Sequence, residues 1–132
     1  MKTIYNRNMN GTPYFGIALL IPLFITGIGV WCSHYPPKTR QALFGYRSPL
    51  SMRSERNWMA AQKALGHLWS WLGLADLAVV FFVELALTAS KNVVWMVYGS
   101  LGMVAAQVFV LVATYLIIER KLKKLDASNE NI

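Results

Sequence analysis

Charge is scarce in this 132-residue chain: Asp, Glu, Lys and Arg make up 14% of it, against about 25% in a typical water-soluble domain. Too little charge is present to coat a soluble globule, and the 55% hydrophobic content is far too high for a disordered chain. Cysteine is nearly absent. The single Cys32 excludes an intrachain disulfide and any multi-cysteine metal site. His34 and His67 have no cysteine or clustered acids beside them at zinc spacing, so no metal or cofactor is expected. Acids are few as well, 6 against 13 basic residues. A nucleic-acid role would need a soluble basic module, and none is visible. No internal repeat or low-complexity tract is present.

Long apolar runs are what remains. A bilayer core about 30 Å thick takes roughly 20 residues of helix. Three runs qualify: residues 14–32, without charge; residues 68–89, carrying Asp76 and Glu84; and residues 93–118, without charge. Only helices satisfy their own backbone within one segment in lipid, so the reading is an all-α integral membrane protein with three transmembrane helices. Lys2 and Arg7 precede the first run, but no A-x-A-like site follows it, so it reads as a span and not as a signal sequence. Residues 1–13 then form a short extracytoplasmic N-terminus, 33–67 a cytosolic loop and 119–132 a cytosolic tail. The loop holds Lys38, Arg40, Arg47, Arg53, Arg56 and Lys63, and the tail Arg120, Lys121, Lys123 and Lys124. The other side has Lys2, Arg7 and Lys91. The positive-inside rule therefore puts the N-terminus outside and the C-terminus in the cytoplasm. Trp31, Trp69 and Trp71 suit the inner interface, and Tyr14, Trp95 and Tyr98 the outer one. Cys32 reads as a reduced interfacial thiol.

Local signals refine this picture. Pro22 lies inside the first run and should bend that helix and free the Ala18 carbonyl. Pro36-Pro37, Gly45 and Pro49 punctuate a loop. Ser54 reads as an N-cap with Glu55 in the first turn. From there Trp58, Ala61, Leu65, Leu68 and Leu72 mark one apolar face of an amphipathic juxtamembrane helix that leads through Gly66 into the second span. Ser90-Lys91-Asn92 is so short a link that the second and third spans form an antiparallel hairpin. Gly102 and Ala106 are a small-xxx-small pair that predicts close packing.

The most specific stretch is residues 45–66, Gly-Tyr-Arg-Ser-Pro-Leu-Ser-Met-Arg-Ser-Glu-Arg-Asn-Trp-Met-Ala-Ala-Gln-Lys-Ala-Leu-Gly. It resembles the signature of the SdpI family, whose type member gives immunity to the sporulation-delaying killing peptide of bacilli. Gly45, Tyr46, Arg47, Ser51, Met52, Arg53, Trp58, Ala61 and Gly66 match in order and spacing. Ser48 stands for Thr, Ser54 for Asn and Gln62 for a polar residue. One span before the motif and two after it resemble a short, three-span member; longer members carry further spans upstream. The resemblance implies a bacterial cytoplasmic-membrane protein with an immunity role, or one that holds a transcriptional repressor at the membrane.

Four residues are candidate ligand or partner contacts: Arg47, Trp58, Asp76 and Glu84. The Arg47 guanidinium can clamp a carboxylate or phosphate with two prongs, or it can pair with Glu55 or meet anionic headgroups. Trp58 anchors the juxtamembrane helix at the interface or packs on the loop. Ser51 and Ser54 read as caps, with no base at catalytic spacing, so a serine nucleophile and an enzyme are not expected. Asp76 and Glu84 are costly in lipid and lie about 12 Å apart along one helix, too far to act as a close dyad. Both should face the bundle, with Gln107, Thr114 and Tyr115 as polar partners. Glu84 has an alternative partner in Lys91. These features carry two functional expectations. One is a non-catalytic immunity or envelope-stress factor that neutralises a membrane-active peptide toxin. The other is a membrane-tethered regulator that recruits a cytosolic protein. A small transporter or membrane enzyme is the weakest reading.

Overall fold

The computed structural model describes residues 12–40 and 43–131, with side chains from Gly16 onward. The N-terminal segment and the Tyr14 side chain lie outside the described residues. Three helices account for most of the chain: α1 (Thr12–His34), α2 (Glu55–Ala89) and α3 (Val93–Glu130). No strand occurs among the described residues. All three helices are long and apolar enough to cross a membrane.

Helix ends follow the local chemistry. Ser54 is extended (φ −146°, ψ 160°) and its hydroxyl accepts the Asn57 backbone N–H at 3.1 Å, the cap the sequence predicts. The link at 90–92 is a tight turn. Ser90 caps the end of α2, Lys91 takes a left-handed φ of 53°, and Asn92 Oδ1 accepts from Val94 N at 3.0 Å. The expected antiparallel hairpin results. Its register is one for one along both helices: Trp69 Nε1 donates to Thr114 Oγ1 at 3.3 Å, and Asn57 Nδ2 to Asp126 Oδ1 at 3.1 Å.

The juxtamembrane helix and second span form one continuous helix of 35 residues, about 52 Å long. Gly66 does not interrupt it. Instead, a Cβ at Gly66 would lie 2.6 Å from the Ser33 backbone nitrogen, and one at Gly73 would lie 2.6 Å from Thr26 Oγ1. These glycines let α1 lie against α2 nearly backbone to backbone. Gly102 behaves differently from the packing expectation: it and Ala106 are exposed, with nothing near a Cβ at Gly102. The reason is rotational. The buried stripe of α3 runs through Met96, Ser100, Gln107, Thr114, Ile118 and Leu122, and the small pair sits off it.

Packing is densest at the end carrying the loop. There Cys32, Ala61, Ala64, Leu65, Ile118 and Leu122 form one buried cluster. Cys32, two residues from the end of α1, is wholly buried in this core, so its thiol faces protein. Toward the hairpin end the bundle thins. Phe24, Leu23, Phe82, Val94, Leu101 and Phe109 point outward. Such an apolar exterior is what a lipid-facing surface requires.

Pro22 is buried within α1 and has no N–H to give, so the Ala18 carbonyl loses its helical donor. That carbonyl accepts from Gln107 Nε2 of α3 at 3.4 Å. The freed backbone group thus ties α1 to α3.

Candidate functional site

The motif residues fold into a loop that closes over the ends of the three helices. Gly45 has φ +123°, a region side chains avoid. A Cβ there would also lie 2.6 Å from Gln62 Oε1. That oxygen accepts the Tyr46 N–H at 2.8 Å, while Gln62 Nε2 donates to the Tyr46 carbonyl at 2.8 Å. Gln62 is fully buried and acts as a surrogate strand partner for the backbone N–H and C=O of Tyr46. Ser48 and Ser51 close the following turn: Ser48 N donates to Ser51 Oγ at 2.8 Å and Ser51 N to Ser48 Oγ at 3.1 Å. Ser51 is therefore a loop staple, whereas Ser54 is the helix cap. Trp58 is fully buried and donates from Nε1 to the Pro37 carbonyl at 2.6 Å, fastening the loop's first limb to α2. Of the two structural readings of Trp58, packing on the loop is the one observed.

The end of α3 is locked to this loop. Tyr46 Oη donates to Glu119 Oε1 at 2.6 Å, and its ring lies 5.9 Å from that of Tyr115. Arg53 pairs with Asp126 and Arg56 donates to Asn129 Oδ1. Asn57 is buried and bridges the Leu50 carbonyl and Asp126. Burial, followed by the bond to Glu119, pushes the Tyr46 hydroxyl well above the usual tyrosine range. It therefore stays a donor.

Arg47 makes no ion pair with Glu55. Its guanidinium donates to the Arg40 carbonyl at 3.2 Å. The turn at 48–53 reverses the chain between the two residues, and the Arg53–Asp126 pair is the ion pair found among the described residues. Arg47 is otherwise exposed, at the rim of a cavity of about 370 Å³ beneath the loop. Trp31, Tyr46, Trp69 and Tyr115 wall this cavity.

The intramembrane acids sit elsewhere. Glu84 is 2% exposed and shares the buried stripe of α2 with Gly73 and Val80. It makes no pair with Lys91, because α2 ends at Ala89 and Lys91 turns out of the helical path into solvent. Asp76 is half-buried. Among the described residues, Asp76 Oδ2, Glu84 Oε1, Ser100 Oγ and Gln107 Oε1 are buried with no hydrogen-bond partner. The hairpin register sets Asp76 level with Gln107 and Glu84 within one residue of Ser100. Thr114 is already engaged by Trp69, and Tyr115 belongs to the loop cavity. Arg47 and the two acids are thus not brought together. Arg47 belongs to the loop end, and the acids form polar layers deeper in the bundle.

Sequence reasoning placed Gln62 in the motif without a role, and missed Asn57, Glu119 and Asp126 as parts of the motif platform. A signal for the last two was present: they are seven residues apart, in step with the buried stripe of α3.

Comparison with known proteins agrees with this geometry. No curated protein and no solved structure matches the chain. The model of the SdpI/YfhL protein family matches residues 38–118, from the first limb of the loop through α2 and into α3 as far as residue 118. That is more than half of the 132 residues, and the chain belongs to the SdpI/YfhL protein family.

Proposed function

We propose that this protein is a non-catalytic immunity or envelope-stress factor of the bacterial cytoplasmic membrane, acting against a membrane-active peptide. One observation carries the reading: unpartnered acceptor atoms of Asp76, Glu84 and Gln107 lie within the spans of an SdpI/YfhL family member. Acceptors without donors in lipid favour a cationic guest, such as an ammonium group of an inserted peptide. Asp76, half-buried, is the acid open to an approaching chain, and Glu84 lies buried about 12 Å further along α2. The motif loop and the end of α3 hold the helices in place from the cytoplasmic side, with the N-terminus outside.

A competing reading, a tethered regulator, draws support from the exposed bases Lys63, Lys121, Lys123 and Lys124 at the loop end. Survival of a sensitive host expressing the protein separates the two. Wild type should protect against cationic membrane-active peptides. Asp76→Asn, at equal membrane abundance, should lose most of that protection. No protection by wild type contradicts the proposal. Protection that survives Asp76→Asn but falls with Arg47→Ala favours the regulator.

A further inference from the structure

The cavity beneath the loop does not stop at the loop. A second cavity, of about 380 Å³, is lined by Leu20, Ile21, Phe24, Ile25, Ile28, Trp69 and Leu111. It shares Ile28, Trp69 and Leu111 with the first. The two form one seam between α1 and α3, floored by α2. Along α1 the seam runs from Trp31 to Leu20, eleven residues, which is about 16 Å. That is the depth of one leaflet of a hydrocarbon core about 30 Å thick.

The seam is chemically polarised. Its deep half is wholly apolar in its lining residues. Its upper end carries Arg47, exposed, with one donor on the Arg40 carbonyl and others to spare. The acid of this neighbourhood, Glu119, already accepts the Tyr46 hydroxyl. A guanidinium at the membrane surface above an apolar slot one leaflet deep matches a phosphate joined to a hydrocarbon chain. Neither cavity is lined by an acid, so the seam offers a cationic peptide nothing to pair with.

We propose that this seam is a binding site for one anionic phospholipid, with its phosphate on Arg47 and one acyl chain between α1 and α3. The lipid would add to the contact between these helices, which pack through Cys32 and Ile118 and share the hydrogen bond from Gln107 to the Ala18 carbonyl.

The test uses the full chain in nanodiscs of equimolar phosphatidylglycerol and phosphatidylcholine with matched acyl chains. Lipid retained per chain is counted by native mass spectrometry after gentle release. Wild type should retain one phosphatidylglycerol, favoured over phosphatidylcholine by about fivefold, the worth of one basic group at an anionic surface. Arg47→Gln should bring the two lipids to parity. Leu111→Trp, which fills the seam without touching the rim, should lose both. Millimolar inorganic phosphate should displace neither. Equal retention by wild type, unchanged selectivity in Arg47→Gln, or lipid retained by Leu111→Trp would overturn the proposal. So would displacement by free phosphate, which would mark an anion site without a chain slot, or a lipid-free dimer closed through the seam.

Discussion

Gly45 concentrates the demands of the motif in one residue. Its φ of +123° and the 2.6 Å approach of Gln62 to a notional Cβ act together. Gly45→Ala should therefore strain the backbone and push Gln62 off the Tyr46 peptide, destabilising by about 1–3 kcal/mol. A lowered thermal midpoint in detergent would register this. Tyr46→Phe removes the bond to Glu119 and should cost about 1 kcal/mol. The fold holds this phenol protonated, so its contribution is fully present below the ordinary tyrosine pKa of about 10 and fades as pH rises beyond it. Wild type should lose stability above that pH more steeply than Tyr46→Phe, as thermal scans across pH 8–11 would record. At Asn57, substitution by Ala should cost about 1–2 kcal/mol, because the Leu50 carbonyl and Asp126 both lose a donor. The exposed Arg53 matters less: Arg53→Gln should change stability by under about 1 kcal/mol.

Between helices, glycine decides the contact. Gly66 and Gly73 sit seven residues apart where α1 and α2 touch. Gly73→Leu should separate the pair and destabilise by several kcal/mol, since backbone atoms of α1 cannot move aside as a flexible side chain would. Gly102→Leu, facing open space, should change monomer stability little. Thermal unfolding of the two variants side by side checks the contrast. The sequence reveals how many helices form, that Ser54 caps one of them, and that Pro22 releases the Ala18 carbonyl. It does not reveal which glycines touch a neighbour, because small residues at helical spacing occur on every face of these apolar helices. Rotation about the helix axis is set by the sum of contacts along the bundle, and no single spacing encodes it. The same ignorance of rotation and helix ends produced the expected Glu84–Lys91 pair, which extrapolated a helix past its end at Ala89.

For the whole molecule, composition and charge placement carry most of the information. Lack of charge and three apolar runs sufficed for an all-α membrane fold. The ten basic residues assigned to the loop and tail do lie at one end, because Tyr46–Glu119, Asn57–Asp126 and Arg53–Asp126 tie those segments together. The division of labour within the molecule was harder to read. Arg47 and the acids occupy different depths in the bundle, a separation fixed by the length of α2. The central claim is that lipid surrounds these helices and that the motif end faces the cytoplasm. Single cysteines at Met52 and Asn92, introduced after Cys32→Ser, test it in intact cells with a membrane-impermeant thiol reagent. The account predicts that the Asn92 position labels at once and the Met52 position only after the membrane is opened. Labelling of the Met52 position from outside, with the Asn92 position protected, would contradict it.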